Sequence, residues 1–86
     1  MRQRIGIAVL GLGWMGQAHS RSALRIPSLF PDRAVDPVLV VCADTEPDRR
    51  TRATSDFGFE RAVADWREAV ESPDVDAVWV TAPNML

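Results

Sequence analysis

The stretch that decides the fold is Ile5-Gly6-Ile7-Ala8-Val9-Leu10-Gly11-Leu12-Gly13-Trp14-Met15-Gly16. From Arg4 to Leu10 the chain is a continuous apolar run ended by glycines, the pattern of a strand buried on both faces. A helical pattern starts at Met15, with Met15, Ala18, Ser22, Ala23 and Ile26 on one face and Gln17, Arg21 and Arg25 on the other. The inner face is built of small residues, so the helix can lie close on a sheet. Pro27 is expected to end it.

Working outward, residues 27 to 37 hold Pro27, Pro31, Pro37 and two aspartates and read as a loop. Val38 to Ala43 is a second buried strand, rich in the β-branched residues that suit a pleated interior. Thr45 reads as the N-cap of a second helix, with Pro47 in its first turn and Gly58 as a stop after Phe57. That helix is polar almost all round, with Ala53 and Phe57 as its inward stripe. Glu60 to Ala64 reads as a short third strand, resting on Ala62, Val63 and Ala64 alone. Asp65 and Glu68 form the two ends of a capping box, and Trp66, Ala69 and Val70 give a third helix one apolar face before Pro73. A tight Pro73-Asp74-Val75 turn leads to a fourth buried strand, Asp76 to Thr81. Strict alternation of strand and helix implies right-handed crossovers and an α/β, Rossmann-type doubly wound parallel sheet. The expected strand order is third, second, first, fourth, with the glycine turn at the switch point.

Composition narrows the function. The 86 residues are fewer than the roughly 100–150 of a typical domain, and the last strand lacks a following helix, so a piece of a longer protein is expected. Ten basic and twelve acidic residues leave a net charge of -2, with no basic excess to draw a nucleic-acid backbone. Every basic residue is Arg, so chemistry that needs a lysine has to come from elsewhere. The single cysteine, Cys42, lies in an apolar run where a reduced thiol behaves as a small hydrophobe, and a cytoplasmic setting is expected. No run approaches the roughly 18 apolar residues of a membrane span. The start, charged and then apolar, also invites reading as a signal peptide, but the short apolar stretch and the spaced glycines after it have a better explanation.

That explanation is Gly11-Leu12-Gly13-Trp14-Met15-Gly16, a GxGxxG string set between a buried strand and a helix. Gly11 permits the tight turn, Gly13 lets backbone come within reach of a pyrophosphate, and Gly16 lets helix and strand pack closely. Free amides at the helix N-terminus then face the phosphates. Trp14 and Met15 either cover the cofactor or serve ordinary packing, and packing is the favoured reading. Asp44 ends the second strand, where a carboxylate can accept hydrogen bonds from both ribose hydroxyls of an adenosine. A 2'-phosphate placed about 4 Å from it would be repelled by several kcal/mol at an effective dielectric near 20, which favours NAD over NADP. Arg49 and Arg50 either offset part of that repulsion or form a solvated face. Asn84, after Ala82 and Pro83 at the carboxyl edge of the sheet, suits a ribose or carboxamide contact and equally a helix cap. His19 reads as structural, and no metal spacing is present.

These segments together, "IGIAVLGLGWMGQAHS", Asp44 followed by Pro47 and Arg49, "SPDVDAVWV" and "APN", resemble the N-terminal cofactor domain of the glucose-fructose oxidoreductase, inositol dehydrogenase and MocA family. The resemblance implies a Rossmann domain followed by a second α/β domain that carries substrate contacts and oligomer interfaces. It implies an NAD- or NADP-dependent oxidoreductase acting on a sugar, polyol or related alcohol, with a homo-oligomer formed through the second domain. Residues 1–86 would be the N-terminal part of the dinucleotide-binding domain. Gly11, Leu12, Gly13, Trp14, Met15 and Gly16 would hold the pyrophosphate. Asp44, Thr45 and Arg49 would lie on the adenosine side, and Thr81, Ala82, Pro83 and Asn84 on the nicotinamide side. Two departures stand out. Ala82 sits where the family commonly has Thr, and the family's Glu-Lys-Pro segment, whose lysine moves a proton, is expected beyond residue 86. No catalytic residue is therefore assigned, and the fragment by itself is expected to be inactive. A regulatory or sensor protein that keeps only nucleotide binding is the alternative.

Overall fold

The opening apolar run becomes β1 (Gln3–Leu10), the strand on which the rest is laid in the computed structural model, which describes residues 2–81. In chain order there follow α1 (Trp14–Leu29), β2 (Val35–Ala43), α2 (Pro47–Ser55), β3 (Arg61–Val63), α3 (Trp66–Val70) and β4 (Ala77–Val80). The strands form one sheet in the order β3-β2-β1-β4, every pairing parallel, as the alternation requires.

Two apolar layers sandwich the sheet, and the side-chain period of two assigns residues to them. Ile7 and Val9 of β1 point to one face, where Leu12, Ala23, Cys42, Ala53 and Phe57 join them beneath α1 and α2. Ala8 and Leu10 point to the other, packing with Val40, Val41 and Ala43 and with Ala69 of α3. In β2 the alternation breaks at Val40 and Val41, which share a face. The register supplies the cause: Ile7 pairs with Leu39 but Ala8 with Val41, so Val40 is the extra residue of a bulge. Fully burying a side chain of valine size stabilises the fold by roughly 1.5–3 kcal/mol, and Val9, Val40 and Val41 are all fully buried.

Several boundaries differ from the sequence reading. Pro27 lies inside α1 rather than ending it. A proline costs the helix one N–H donor, yet only two residues of the helix remain beyond it, and the Phe30 amide closes the last turn on Ile26 O at 2.8 Å. The inward face of α1 runs through Gly16, Ser20 and Ala23, while Met15 and Ser22 are exposed. Ser20 is tolerated there because its hydroxyl donates to Gly16 O at 2.7 Å. β2 begins at Val35 and takes in Pro37, because β3 reaches only Val41 to Ala43 and leaves that part of β2 with a single neighbour. The N-cap of α2 is Glu46, not Thr45. In α3, Asp65 is the N-cap and accepts from the Arg67 amide at 3.0 Å, but Glu68 returns no side-chain bond among the described residues, so the expected capping box is not completed; Trp66 and Val70 are exposed and Ala69 alone is buried.

The turn into β4 rests on a glycine whose role is invisible in the linear chain. A Cβ on Gly6 would overlap Asp74 O. The Gly6 amide donates to Asp76 Oδ2 and Gly6 O accepts from the Asp76 amide, both at 2.7 Å. Arg61 forks onto Asp74 at 2.8 and 3.1 Å and ties β3 to the same turn.

Candidate functional site

The carboxyl ends of β1, β2 and β4 converge on the glycine turn. Gly11 has φ 96°, a left-handed conformation that a side chain resists, and its amide donates to Ala43 O at 2.7 Å. A Cβ on Gly16 would overlap Gly11 O, so glycine alone lets α1 sit this close to the turn. Gly13 is different. Its backbone is extended, with φ -76°, and a Cβ built there meets nothing within 4 Å among the described residues. Among the described residues no atom demands glycine at that position.

The backbone groups of the turn divide by direction. Every carbonyl from Leu10 to Gly13 has a donor. Leu10 O accepts from the Thr81 amide at 3.1 Å, Gly11 O from the Thr81 hydroxyl at 2.7 Å, Leu12 O from Gln17 Nε2 at 3.2 Å and Gly13 O from the Gln17 amide at 3.0 Å. The amides of Gly13, Trp14, Met15 and Gly16 have no acceptor among the described residues. α1 also lacks a side-chain cap and has no acid in its first turn. The positive end of a 16-residue helix is thus left with free donors, which is what an anion binds.

Asp44 is buried beside this turn, its side chain 5% exposed. Oδ2 accepts from the Leu12 amide at 2.7 Å and Oδ1 from the Glu46 amide at 2.8 Å. The acid therefore clasps the glycine turn to the start of α2, an Asx-type turn onto the Glu46 amide, while Thr45 is exposed and α2 has no side-chain cap. Each oxygen retains a second lone pair. Arg49 lies 3.7 Å from Oδ2 with its side chain half exposed, whereas Arg50 is held by Asp44 O at 2.9 Å and Thr45 O at 3.1 Å. Beneath them, burial first and the Asp44 charge second push the Cys42 thiol up to about 12.

Trp14 is 81% exposed and Met15 47%, so the packing favoured for Trp14 and Met15 from sequence is not what the described residues show. His19 lies on α1 with its ring tilted against Trp79 of β4, centroids 6.0 Å apart. Thr81 reaches the turn, while Ala82, Pro83 and Asn84 lie outside the described residues. Gln17 was missed by sequence reading; its only signal was an amide side chain one helical turn past Gly13. An apolar cavity of about 620 Å³ between Ile26, Phe30, Val35 and Pro37 lies away from the glycine turn and offers no comparable set of donors. Among the described residues no helix is long and apolar enough to cross a membrane.

A parallel sheet with a glycine turn at its switch point, free helix amides and an acid at the end of β2 defines a dinucleotide-binding α/β domain of the Rossmann class. Comparison with known proteins makes this particular. Residues 5–86 match the family described as an oxidoreductase family with an NAD-binding Rossmann fold, and the chain belongs to that glucose-fructose oxidoreductase, inositol dehydrogenase and MocA family. It is 34% identical over 84 residues to levoglucosan dehydrogenase of Pseudarthrobacter phenanthrenivorans, covering 98% of this chain and 22% of that protein. It is 34% identical over 74 residues to myo-inositol 2-dehydrogenase of Thermotoga maritima, covering 86% of this chain and 20% of that protein. The solved structure of levoglucosan dehydrogenase in complex with NADH superposes with a TM-score of 0.87 over 95% of this chain and 22% of that one, at 34% identity. The complex with NADH and levoglucosan gives a TM-score of 0.86 over the same shares, again at 34% identity. The chain thus spans about a fifth of the length of these relatives.

Proposed function

We propose that this chain is the N-terminal part of the cofactor domain of an NAD-dependent dehydrogenase acting on a sugar, polyol or related alcohol. The observation that carries the reading is the run of amides from Gly13 to Gly16 that have no acceptor among the described residues, beginning at a glycine that none of the described atoms requires. These residues fit a dinucleotide: the amides and the dipole of α1 receive the pyrophosphate. Asp44, through its remaining lone pairs, accepts from the adenosine ribose, with Arg49 at the rim of that position. Thr45 borders the same side, and Thr81 to Asn84 the nicotinamide side. The bound nicotinamide supplies a hydride acceptor for a carbinol carbon, and the base that removes the hydroxyl proton comes from outside these residues, which contain no lysine. The alcohol substrate class rests on the names of the relatives, and both are dehydrogenases, which favours the enzyme over the sensor alternative. The test is a spectrophotometric assay of NADH formation by the intact protein with levoglucosan, inositols and simple sugars. Reduction of NAD by one of these supports the reading; binding of NADH without turnover on any cyclic polyol or sugar would leave the sensor in its place.

A further inference from the structure

We infer that Thr81 and Gln17 are positioning residues for the pyrophosphate, holding the turn carbonyls of Gly11 and Leu12 away from the phosphate side without touching the phosphates themselves. The inference rests on the dinucleotide reading above. An anion site built from backbone needs its N–H groups turned toward the ligand and its carbonyls turned away, because a carbonyl oxygen facing a phosphate repels it. Glycines on both sides of Leu12 make rotation of the intervening peptides cheap, so the polarity of the turn has to be imposed from outside. Two side chains from different elements impose it. Thr81 follows β4, and its single hydroxyl proton belongs with Gly11 O at 2.7 Å, since Leu10 O, 3.1 Å away, already takes the Thr81 amide. Gln17 belongs to α1, and its amide orientation is set by its neighbours. Arg21 and Arg52 both donate to Oε1 at 3.4 Å, which leaves Nε2 to donate to Leu12 O at 3.2 Å. Asp44 completes the restraint by holding the Leu12 amide. Neither Thr81 nor Gln17 needs to lie within reach of the pyrophosphate for its loss to be felt there.

The experiment titrates NADH into the intact protein and into Thr81→Val, Thr81→Ser, Gln17→Met and the Thr81→Val/Gln17→Met double variant, by fluorescence or calorimetry, and measures kcat and KM for NAD with an active substrate. Removing one hydrogen bond from the turn should weaken NADH binding about fivefold. The double variant should lose more than either single one, KM for NAD should rise with kcat unchanged at saturation, and Thr81→Ser should restore binding to within about twofold, because it keeps the hydroxyl. Thermal unfolding is followed in parallel. Variants that unfold at lower temperature but bind NADH as the wild type does would overturn the inference, as would a Thr81→Ser variant as weak as Thr81→Val. Wild type that fails to bind NADH would instead overturn the dinucleotide reading, and the inference with it.

Discussion

Replacing Gly13 by valine separates a ligand requirement from a folding requirement. The position is extended, at φ -76°, and a Cβ meets no atom within 4 Å among the described residues, so a branched residue at this position should add neither a Cβ clash with them nor backbone strain. Two small terms act on stability. Reduced freedom of the unfolded chain stabilises by about 0.4–1 kcal/mol, and a poorer N-cap costs about as much or slightly more, so the net change should stay within about 1 kcal/mol. Binding should respond on another scale. A branched side chain occupies the space the pyrophosphate needs and denies it the amides behind, each charge-assisted bond being worth about 1.5–3 kcal/mol. Loss of two such bonds is roughly 3–6 kcal/mol, or about two to four orders of magnitude in Kd. Thermal unfolding and calorimetric titration of NAD on the intact protein read the two quantities separately. Unchanged affinity in Gly13→Val would show that the turn is not the phosphate site. A collapse of the melting temperature would show that glycine serves the fold there after all.

Other variants report on the surrounding structure. Gly16→Ala should destabilise the fold itself, by about 2 kcal/mol or more, because the new Cβ meets Gly11 O and backbone has to move; denaturant unfolding checks this. Cys42, buried and with its thiol pushed up to about 12, should resist alkylation at pH 8 in the native protein and react only on unfolding, as mass spectrometry of iodoacetamide-treated samples will show. The Arg61 guanidinium holds the Asp74 carboxyl below its usual range, so the folded form binds this proton less readily than the unfolded chain. The contribution of this pair is complete above the ordinary aspartate range and lost as pH falls through the lowered value, and Arg61→Met should flatten that acid limb in melting curves.

How much was legible in the chain follows from which interactions are local. The strand, turn and helix around Gly11 to Gly16 announce themselves because an apolar run, three glycines and a helical period are adjacent in sequence, and the roles assigned to Gly11 and Gly16 match their φ and their contacts. The strand order followed from alternation and handedness. What escaped depends on partners distant in sequence. Pro27 and Pro37 read as breakers, yet a helix near its end and a strand with one open side both accommodate proline. The bulge at Val40 exists only in the register with β1, and Gly6 is required only because Asp74 comes to lie over it. In the site, Asp44 was expected to face a ribose. That it secures the Leu12 and Glu46 amides, and that Gln17 and Thr81 donate to the turn carbonyls, needed the folded geometry.

The most direct test of the account is the relative affinity of the intact protein for NADH and NADPH. Asp44 stands against the glycine turn with Arg49 at 3.7 Å, and Arg50 commits its Nη1 to the main-chain oxygens of Asp44 and Thr45. A 2'-phosphate about 4 Å from the carboxylate is repelled by about 4 kcal/mol at an effective dielectric of 20, and Arg49 offsets only part of this. Titrated side by side, NADH should bind at least about a hundredfold more tightly than NADPH. Equal affinity for the two, or tighter binding of NADPH, would contradict the placement of Asp44 at the adenosine ribose.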